Sequence, residues 1–502
     1  MLKFLFVQHE NENIGVEYIS AALKSVGHSV ELAFFPLGSN LQAENQAIIK
    51  KIEKYKPDFA CFSPFSFQFP WSLAKAKLIK ENYPELFILF GGVHVNSVPD
   101  VVMEEKAIDG ILLGEADKTI IEFAQNHEAG DITKTRSLWY RKDGGIVKNP
   151  TAPLETDLDA LPYPDKDLFY NSPLDPIKRN MAYTAVGSRG CPFACTYCSN
   201  NVYQKLYLGQ KRFRHRSPEN VIGELEMNLA KYHYPRVEFA DDVLAIDIER
   251  LRKLMDLYKE KVNVPFACFF HPRLVNEETV KILKEGGCTW FKLGVQSANE
   301  NYRKTFLNRH ETNEQILKVS ELCRKYSLQF SFDHIFNLPA ETKEHLIEAV
   351  NLYNECRPTI INFWGLMYLP GTDIIQTAIK HGSISEADVP AINTGQHDLS
   401  KLNLVPWYDN KNAQINTSAF MLLFVLISLL PKGIIDWLMK IKFYDVKFQI
   451  PNIVLVPLKV LSKIKAGQGY LYYSEILGYF IYSYQKINRA ITRIWKIAPT
   501  QN

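Results

Sequence analysis

Two series of short apolar runs, each alternating with helix-patterned stretches, constrain this chain more than any other feature. In the first series Lys3–Val7, Ser29–Phe35, Phe59–Ser63, Leu86–Phe90 and Gly110–Leu113 read as strands, with helical spacing over Ile14–Val26 and Trp71–Asn82. Strands separated by helices need crossover connections, which build a parallel sheet covered on both faces. The reading is α/β, with a doubly wound parallel-sheet domain over residues 1–135. The second series, residues 181–385, places strands at Tyr183–Val186, Arg236–Phe239, Phe266–Phe270, Trp290–Val295, Gln329–Ile335 and Thr359–Trp364. Helical stretches such as Pro218–Lys231 and Asn276–Glu285 lie between them. Six βα units predict a partial (β/α)6 barrel with its site at the C-terminal strand ends. Residues 136–180 join the two as a hairpin, turning at Asp143-Gly144-Gly145, and a Pro-bearing linker through Pro162 and Pro164. A mainly α-helical region over 386–502 is expected to follow.

The densest chemistry lies just after the first barrel strand, in Gly190-Cys191-Pro192-Phe193-Ala194-Cys195-Thr196-Tyr197-Cys198. Thiolates are the usual ligands of iron–sulfur clusters, and spacings of four and three let one short loop wrap three of them round a single cluster. With three local cysteines one iron keeps an open position, as catalytic metal sites do. A zinc site is the alternative; it needs a fourth ligand, and His215 and His233 are the closest downstream. The other five cysteines, at 61, 268, 288, 323 and 356, are scattered. That is not a secreted disulfide framework. Met1–Val7 is too short an apolar stretch for a secretory leader and lacks a small-residue cleavage site, so a cytoplasmic protein is expected.

The triplet C-x-x-x-C-x-x-C, with an aromatic residue before its last cysteine, resembles the radical S-adenosylmethionine (SAM) superfamily. The resemblance implies a 4Fe–4S cluster on Cys191, Cys195 and Cys198, whose open iron chelates SAM, and reductive cleavage of SAM to a 5′-deoxyadenosyl radical. It places Tyr197 near the adenine. Asp241 and Asp242, closing the second barrel strand, fall where relatives contact the SAM amine; a strand-end turn or helix cap is the plainer reading of the pair. Gly294-Val295-Gln296-Ser297 matches a G-x-E-S segment with Gln in place of Glu. Arg309, in Phe306-Leu307-Asn308-Arg309, follows as in relatives. Ile335–Thr342 matches a G-L-P-G-E-T segment in which Asn337 and Ala340 replace glycines and Leu338 is kept. Asn tolerates left-handed backbone, so the first exchange is mild.

The first domain carries Gly91-Gly92-Val93-His94-Val95-Asn96-Ser97 after one strand and Gly114-Glu115 after the next. These are similar to the cobalamin-binding domain fused to many radical SAM enzymes. Ser63, Gly91, Gly92, Val93, His94, Asn96, Ser97, Gly114 and Glu115 are the residues the resemblance assigns to cobalamin. Glycines after a strand let a flat cofactor approach the backbone, and ligands of open α/β sheets bind beyond the strand carboxyl ends. The cobalt-ligating D-x-H-x-x-G motif of methyl carriers is absent, so His94 is not assigned to the metal. A loop histidine without cofactor role is its other reading, and a domain that keeps the shape without cobalamin is the alternative for the region.

From Lys401 onward 13 Lys and Arg face 4 Asp and Glu, while the first 400 residues hold 45 against 51. A basic tail on an acidic body suits an anionic surface. The most apolar run there, Ser418–Leu430, stops at Pro431 and is shorter than the roughly 18–20 residues a spanning helix needs. A helical cap on the barrel and an interfacial anchor peripheral to the inner face of the membrane both fit. No DNA- or RNA-reading motif is present in the first 400 residues, so nucleic acid is not expected. The resemblance points to methylation of an unactivated carbon in a small-molecule or lipid-like substrate. It also implies a reducing electron donor such as flavodoxin or ferredoxin. Radical cyclisation or rearrangement, and a non-catalytic cofactor-binding role, remain the alternatives.

Overall fold

The first sheet orders its strands β2–β1–β3–β4–β5–β6–β7. They are β1 Lys3–His9, β2 Ser29–Phe35, β3 Phe59–Phe62, β4 Phe87–Phe90, β5 Gly110–Leu112, β6 Leu138–Lys142 and β7 Gly145–Lys148. Strands β1 to β5 are parallel, with Phe4 beside both Val30 and Phe59. The computed structural model describes residues 1–36, 38–171, 182–396, 417–446 and 452–467. The hairpin expected between the two domains is not separate: β6 pairs antiparallel with β5, Gly110 opposite Tyr140, and extends the sheet. Two helices that the apolar spacing did not mark, Leu41–Tyr55 and Thr119–Glu128, complete the cover. Their buried apolar stripes are narrow; in the first it amounts to Ile48, Ile52 and Tyr55.

The strand order reverses direction at β1, because β2 lies on one side and β3 on the other. Such a switch point opens a crevice at the strand carboxyl ends. The chain enters it through Asn13, whose side chain accepts from the Val16 backbone N–H and starts the helix Ile14–Ser25. Side-chain capping of this kind satisfies a helix end that would otherwise keep orphan donors. Ser217, Asp247, Asn276, Thr312 and Thr342 do the same for later helices.

The second sheet is fully parallel and runs β8–β11–β12–β13–β14–β15. Its strands are β8 Tyr183–Ala185, β11 Val237–Phe239, β12 Phe266–Phe270, β13 Cys288–Gln296, β14 Phe330–Phe336 and β15 Ile360–Gly365. The pair β9 Ser188–Arg189 and β10 Arg214–His215 sits at the mouth of β8 and holds the ends of the cysteine loop together. Six strands in sequence order, each followed by a helix, make the expected partial barrel.

Among the described residues of the C-terminal region, the short helix Val389–Asn393 is followed by the longer helices Thr417–Leu429, Lys432–Lys440 and Asn452–Lys465. Thr417–Leu429 is buried along nearly its whole length. Its Phe424 packs on Phe336, Phe363, His334 and Tyr353 of the barrel wall, at ring separations from 4.8 to 6.2 Å. The apolar run Ser418–Leu430 therefore caps the barrel. No helix among the described residues is long and apolar enough to cross a membrane. The Tyr-rich stretch 470–484 lies outside the described residues.

Buried ions tie the two sheets together. The Lys166 ammonium, fully buried, donates to Glu12 (2.7 Å) and lies 2.7 Å from Glu17. Glu12 also accepts from the Thr184 hydroxyl on β8 (3.1 Å).

Candidate active site

Two cavities occupy the positions the topology dictates. The first lies over the switch point of the seven-stranded sheet. Asn13, Ile14 and Gly15 line it from the end of β1, Ser63 and Pro64 from β3, Gly91, Gly92 and Val93 from β4, and Gly114 to Asp117 from β5. Two glycines keep its floor flat. Gly92 has φ +86°, and a Cβ there would lie 2.6 Å from the Ser63 hydroxyl. Gly114 has φ +77°, and a Cβ there would meet the Tyr207 hydroxyl.

Of the residues assigned to cobalamin, Ser63, Gly91, Gly92, Val93, Gly114 and Glu115 line this cavity, while His94, Asn96 and Ser97 do not. The difference is local structure. A loop was expected after Gly92, but Gly92–Ser97 is a helix, which turns successive side chains round its axis and carries these three away. The His94 ring is buried 4.2 Å from the Phe69 ring, with Nδ1 3.1 Å from the Ser66 hydroxyl. Burial lowers its pKa to about 4. Asn96 accepts from the Gly114 N–H (2.6 Å) and donates to the Tyr203 hydroxyl (2.9 Å). The Ser97 hydroxyl donates to the Val93 carbonyl (2.9 Å). Asn13, Tyr18, Asp117, Arg189 and Tyr203 line the cavity without having been foreseen. No local motif marks Arg189; its guanidinium is fixed by Asp117 (2.7 and 2.9 Å), a partner 72 positions away.

The second cavity lies at the barrel mouth. Cys191, Cys195, Cys198, Tyr197, Asp241, Asp242, Gln296 and Arg309 all line it. The Arg309 guanidinium organises this group. It donates to Glu311 (2.7 Å), to the Gly294 carbonyl (2.5 Å) and to the Tyr197 hydroxyl (3.3 Å), and one nitrogen lies 3.7 Å from the Cys195 sulfur. Burial raises the Cys191 thiol to about 12 and pushes Cys198 up as well. Metal binding reverses such a shift, because it takes the proton's place. Asp241 accepts from the Gly187 N–H (2.9 Å), and burial raises its carboxyl to about 6. Burial raises Asp242 too; it accepts from Asn200 (2.9 Å), the residue whose amide lies 3.7 Å from the Cys198 sulfur.

Ser297, Asn337 and Leu338 do not line the cavity. Ser297 is buried, and its carbonyl accepts from Arg303 (2.6 Å). Asn337 and Ala340 both have left-handed backbone, φ 60° and 58°, so the exchange of the second glycine for alanine is the more strained one. Leu338 packs into a separate apolar cluster with Tyr302 and Leu366. Phe193, Asn200, His271 and Asp333 line the cavity without having been foreseen. His271 stacks on Phe193 at 3.9 Å, and Asp333 is raised to about 6 by burial. Neither His215 nor His233 reaches this cavity. Among the described residues no three His, Cys, Asp or Glu side chains close on a point as a single-ion site requires. Three thiolates lining one cavity, with neither His215 nor His233 beside them, are the donor type an iron–sulfur cluster takes.

The two cavities answer to two families. Residues 186–353 match the radical SAM superfamily and residues 6–124 match the B12 binding domain. An uncharacterized methyltransferase of Pyrococcus horikoshii is 28% identical over 339 residues, 66% of this chain and 72% of that protein. The anaerobic magnesium-protoporphyrin IX monomethyl ester cyclase of Rubrivivax gelatinosus is 23% identical over 371 residues, 72% of this chain and 65% of that protein. The solved structure of OxsB, a cobalamin-dependent SAM radical enzyme with aqua-cobalamin and SAM bound, superposes with a TM-score of 0.67. That match is 15% identical and covers 98% of this chain and 81% of OxsB. A B12-binding domain joined to a radical SAM domain, in this order and on this fold, places the chain among the cobalamin-dependent radical SAM enzymes.

Proposed function

We propose that this enzyme methylates an unactivated carbon of a small-molecule or lipid-like substrate held between its two cofactors. One observation carries the reading: a third cavity, about 420 Å³, joins the other two. It shares Val93, Glu115, Arg189 and Tyr203 with the cavity over the first sheet, and Cys191, Asn200, Asp241 and Asp242 with the cavity at the barrel mouth. A substrate there touches both cofactors at once.

When bound, the cluster and SAM supply hydrogen abstraction from an unreactive carbon, and cobalamin supplies a methyl group. The protein's part is to hold, orient and exclude water. In this reading Cys191, Cys195 and Cys198 hold the 4Fe–4S cluster. Tyr197, Asp241, Asp242, Gln296 and Arg309 receive SAM, with Ser297, Asn337 and Leu338 shaping the strand ends behind them. Ser63, Gly91, Gly92, Val93, Gly114 and Glu115 cradle cobalamin, while His94, Asn96 and Ser97 support that surface from beneath. A flavodoxin- or ferredoxin-like protein delivers the electron.

The test is to supply methyl-labelled SAM to the reconstituted, reduced enzyme with candidate extracts. A labelled product with matching S-adenosylhomocysteine and 5′-deoxyadenosine is expected. 5′-Deoxyadenosine and a rearranged product without S-adenosylhomocysteine would replace methylation by a cyclase-type reaction, the reading favoured by the likeness to the Rubrivivax cyclase.

The outer faces of the last two helices among the described residues support peripheral membrane contact. Ile434, Trp437 and Ile441 are 42, 57 and 51% exposed. Val454, Leu461 and Ile464 are likewise exposed. Ile441 closes the first helix at its C-terminal end, and along each helix these positions fall on one side, at helical spacing. Lys432, Lys440 and Lys442 stand in and beside the first of them, the arrangement of an interfacial helix over anionic lipid.

A further inference from the structure

We propose that the substrate carries an oxyanion, a carboxylate or a phosphate, and that Arg212 is its counter-ion in the third cavity. The proposal rests on the reading of that cavity as the substrate chamber. Leu154, Gly190, Ser199, Tyr207, Arg212 and Arg214 line the chamber and neither neighbouring cavity. Groups that face the chamber alone are set to meet the third reactant, not SAM or cobalamin.

Two of the six are charged, and they differ in how they are held. Arg214 is buried and committed: it pairs with Glu115 and donates to the Glu155 carbonyl (2.6 Å). Arg189, at the chamber's edge, is likewise spent on Asp117 and Glu115. Arg212 forms no ion pair among the described residues. Its guanidinium meets a neutral oxygen instead: with the Gln204 amide turned to satisfy both groups, Nη1 and Nη2 donate to it at 3.1 and 3.2 Å. Both residues belong to the cysteine-loop surroundings, Gln204 on the helix Ser199–Leu206.

The main chain at Arg212 is fixed. Its carbonyl accepts from Arg214 Nε (3.1 Å) and lies so close to Gly190 that a Cβ there would sit 2.5 Å from it. The backbone is thus anchored against the cysteine loop, and Arg212 stands in the chamber wall. A guanidinium whose partner among the described residues is an amide keeps donors for a planar oxyanion, the geometry at which arginine excels. The chamber carboxylates do not cancel it. Asp241 is held by Gly187 and Ser188, and Asp242 by Asn200, and both face the SAM cavity as well. Tyr203 and Tyr207 add an aromatic wall beside the cation.

The experiment titrates the holoenzyme, loaded with cluster, cobalamin and SAM, with inorganic pyrophosphate and separately with succinate at constant ionic strength. Calorimetry follows binding to the natural protein, Arg212→Gln and Arg212→Lys. At least one probe is expected to bind, Arg212→Gln to weaken it roughly tenfold or more, and Arg212→Lys to weaken it less, with cobalamin and SAM content unchanged. Stronger pyrophosphate binding points to a phosphorylated substrate, and stronger succinate binding to a carboxylic acid. No binding of either probe, or equal binding by Arg212→Gln, overturns the proposal. So does loss of SAM from Arg212→Gln, which would make Arg212 a SAM contact. Cobalamin content and SAM cleavage of the natural protein, measured on the same preparation, report separately on the methyltransferase reading.

Discussion

Gly92 shows what a single residue decides here. Its left-handed backbone excludes most side chains, and the Ser63 hydroxyl fills the space a methyl group would need. Gly92→Ala is expected to cost about 1–3 kcal/mol and to loosen cobalamin. Urea unfolding and cobalamin retained after desalting measure the two effects, and retention equal to the natural protein would remove Gly92 from the cradle. His94 sits behind the same surface and sets a pH dependence. Folded, its ring stays neutral down to about 4 because burial penalises the cation; unfolded, it titrates near 6.5. Between these values the unfolded chain binds the extra proton, so stability is full above about 6.5 and drains as pH falls toward 4, by on the order of 3 kcal/mol. Urea midpoints at pH 7.5 and 5.0 should lie closer together in His94→Gln than in the natural protein. An unchanged spacing would contradict the buried, neutral ring.

At the scale of elements, much of the molecule was legible. Apolar runs bounded by turn residues located the six barrel strands, because parallel strands buried on both faces leave a continuous apolar signature. Cys191, Cys195, Cys198, Tyr197 and Arg309 do meet in one cavity. What stayed illegible has a common cause: it depends on partners distant in sequence or on one unexpected turn. Arg189 depends on Asp117, and Asp333 comes from the far side of the barrel. His94, Asn96 and Ser97 were displaced by a short helix where a loop was expected. The C-terminal helices could be read as cap or as anchor because an apolar run that ends short of a membrane span suits either. Thr417–Leu429 covers the barrel wall through Phe424, so truncating the tail would damage the fold as well as any membrane contact. A point change on the outer face avoids this. Trp437→Asp is expected to abolish sedimentation with phosphatidylcholine vesicles containing phosphatidylglycerol, while cluster and cobalamin loading stay intact. Equal sedimentation of the two proteins would rule out the anchor.

For the whole molecule, the question is how two cofactor domains keep a fixed distance. Tyr203, on the helix that follows the cysteine loop, and Tyr207, at its C-terminal end, bond Asn96 and the Glu115 N–H of the first domain (both 2.9 Å). Arg189 and Arg214 reach across to Asp117 and Glu115. Lys166 closes the linker on Glu12 and Glu17. Removing one partner of a buried ion cluster strands the others. Lys166→Met should therefore cost about 3–5 kcal/mol in urea unfolding, and a loss below about 1 kcal/mol would mean the contact is not needed to dock the domains. One chain thus carries the sites for a radical SAM cluster and for cobalamin on independent surfaces facing a shared chamber. The most direct test compares the natural protein with a Cys191→Ala, Cys195→Ala, Cys198→Ala variant. Both are reconstituted anaerobically with iron, sulfide and hydroxocobalamin, reduced, and given SAM. The natural protein should bind cobalamin and form 5′-deoxyadenosine, whereas the variant should bind cobalamin and form none. SAM cleavage by the variant, or a natural protein that loads its cluster yet neither binds cobalamin nor cleaves SAM, would contradict the claim.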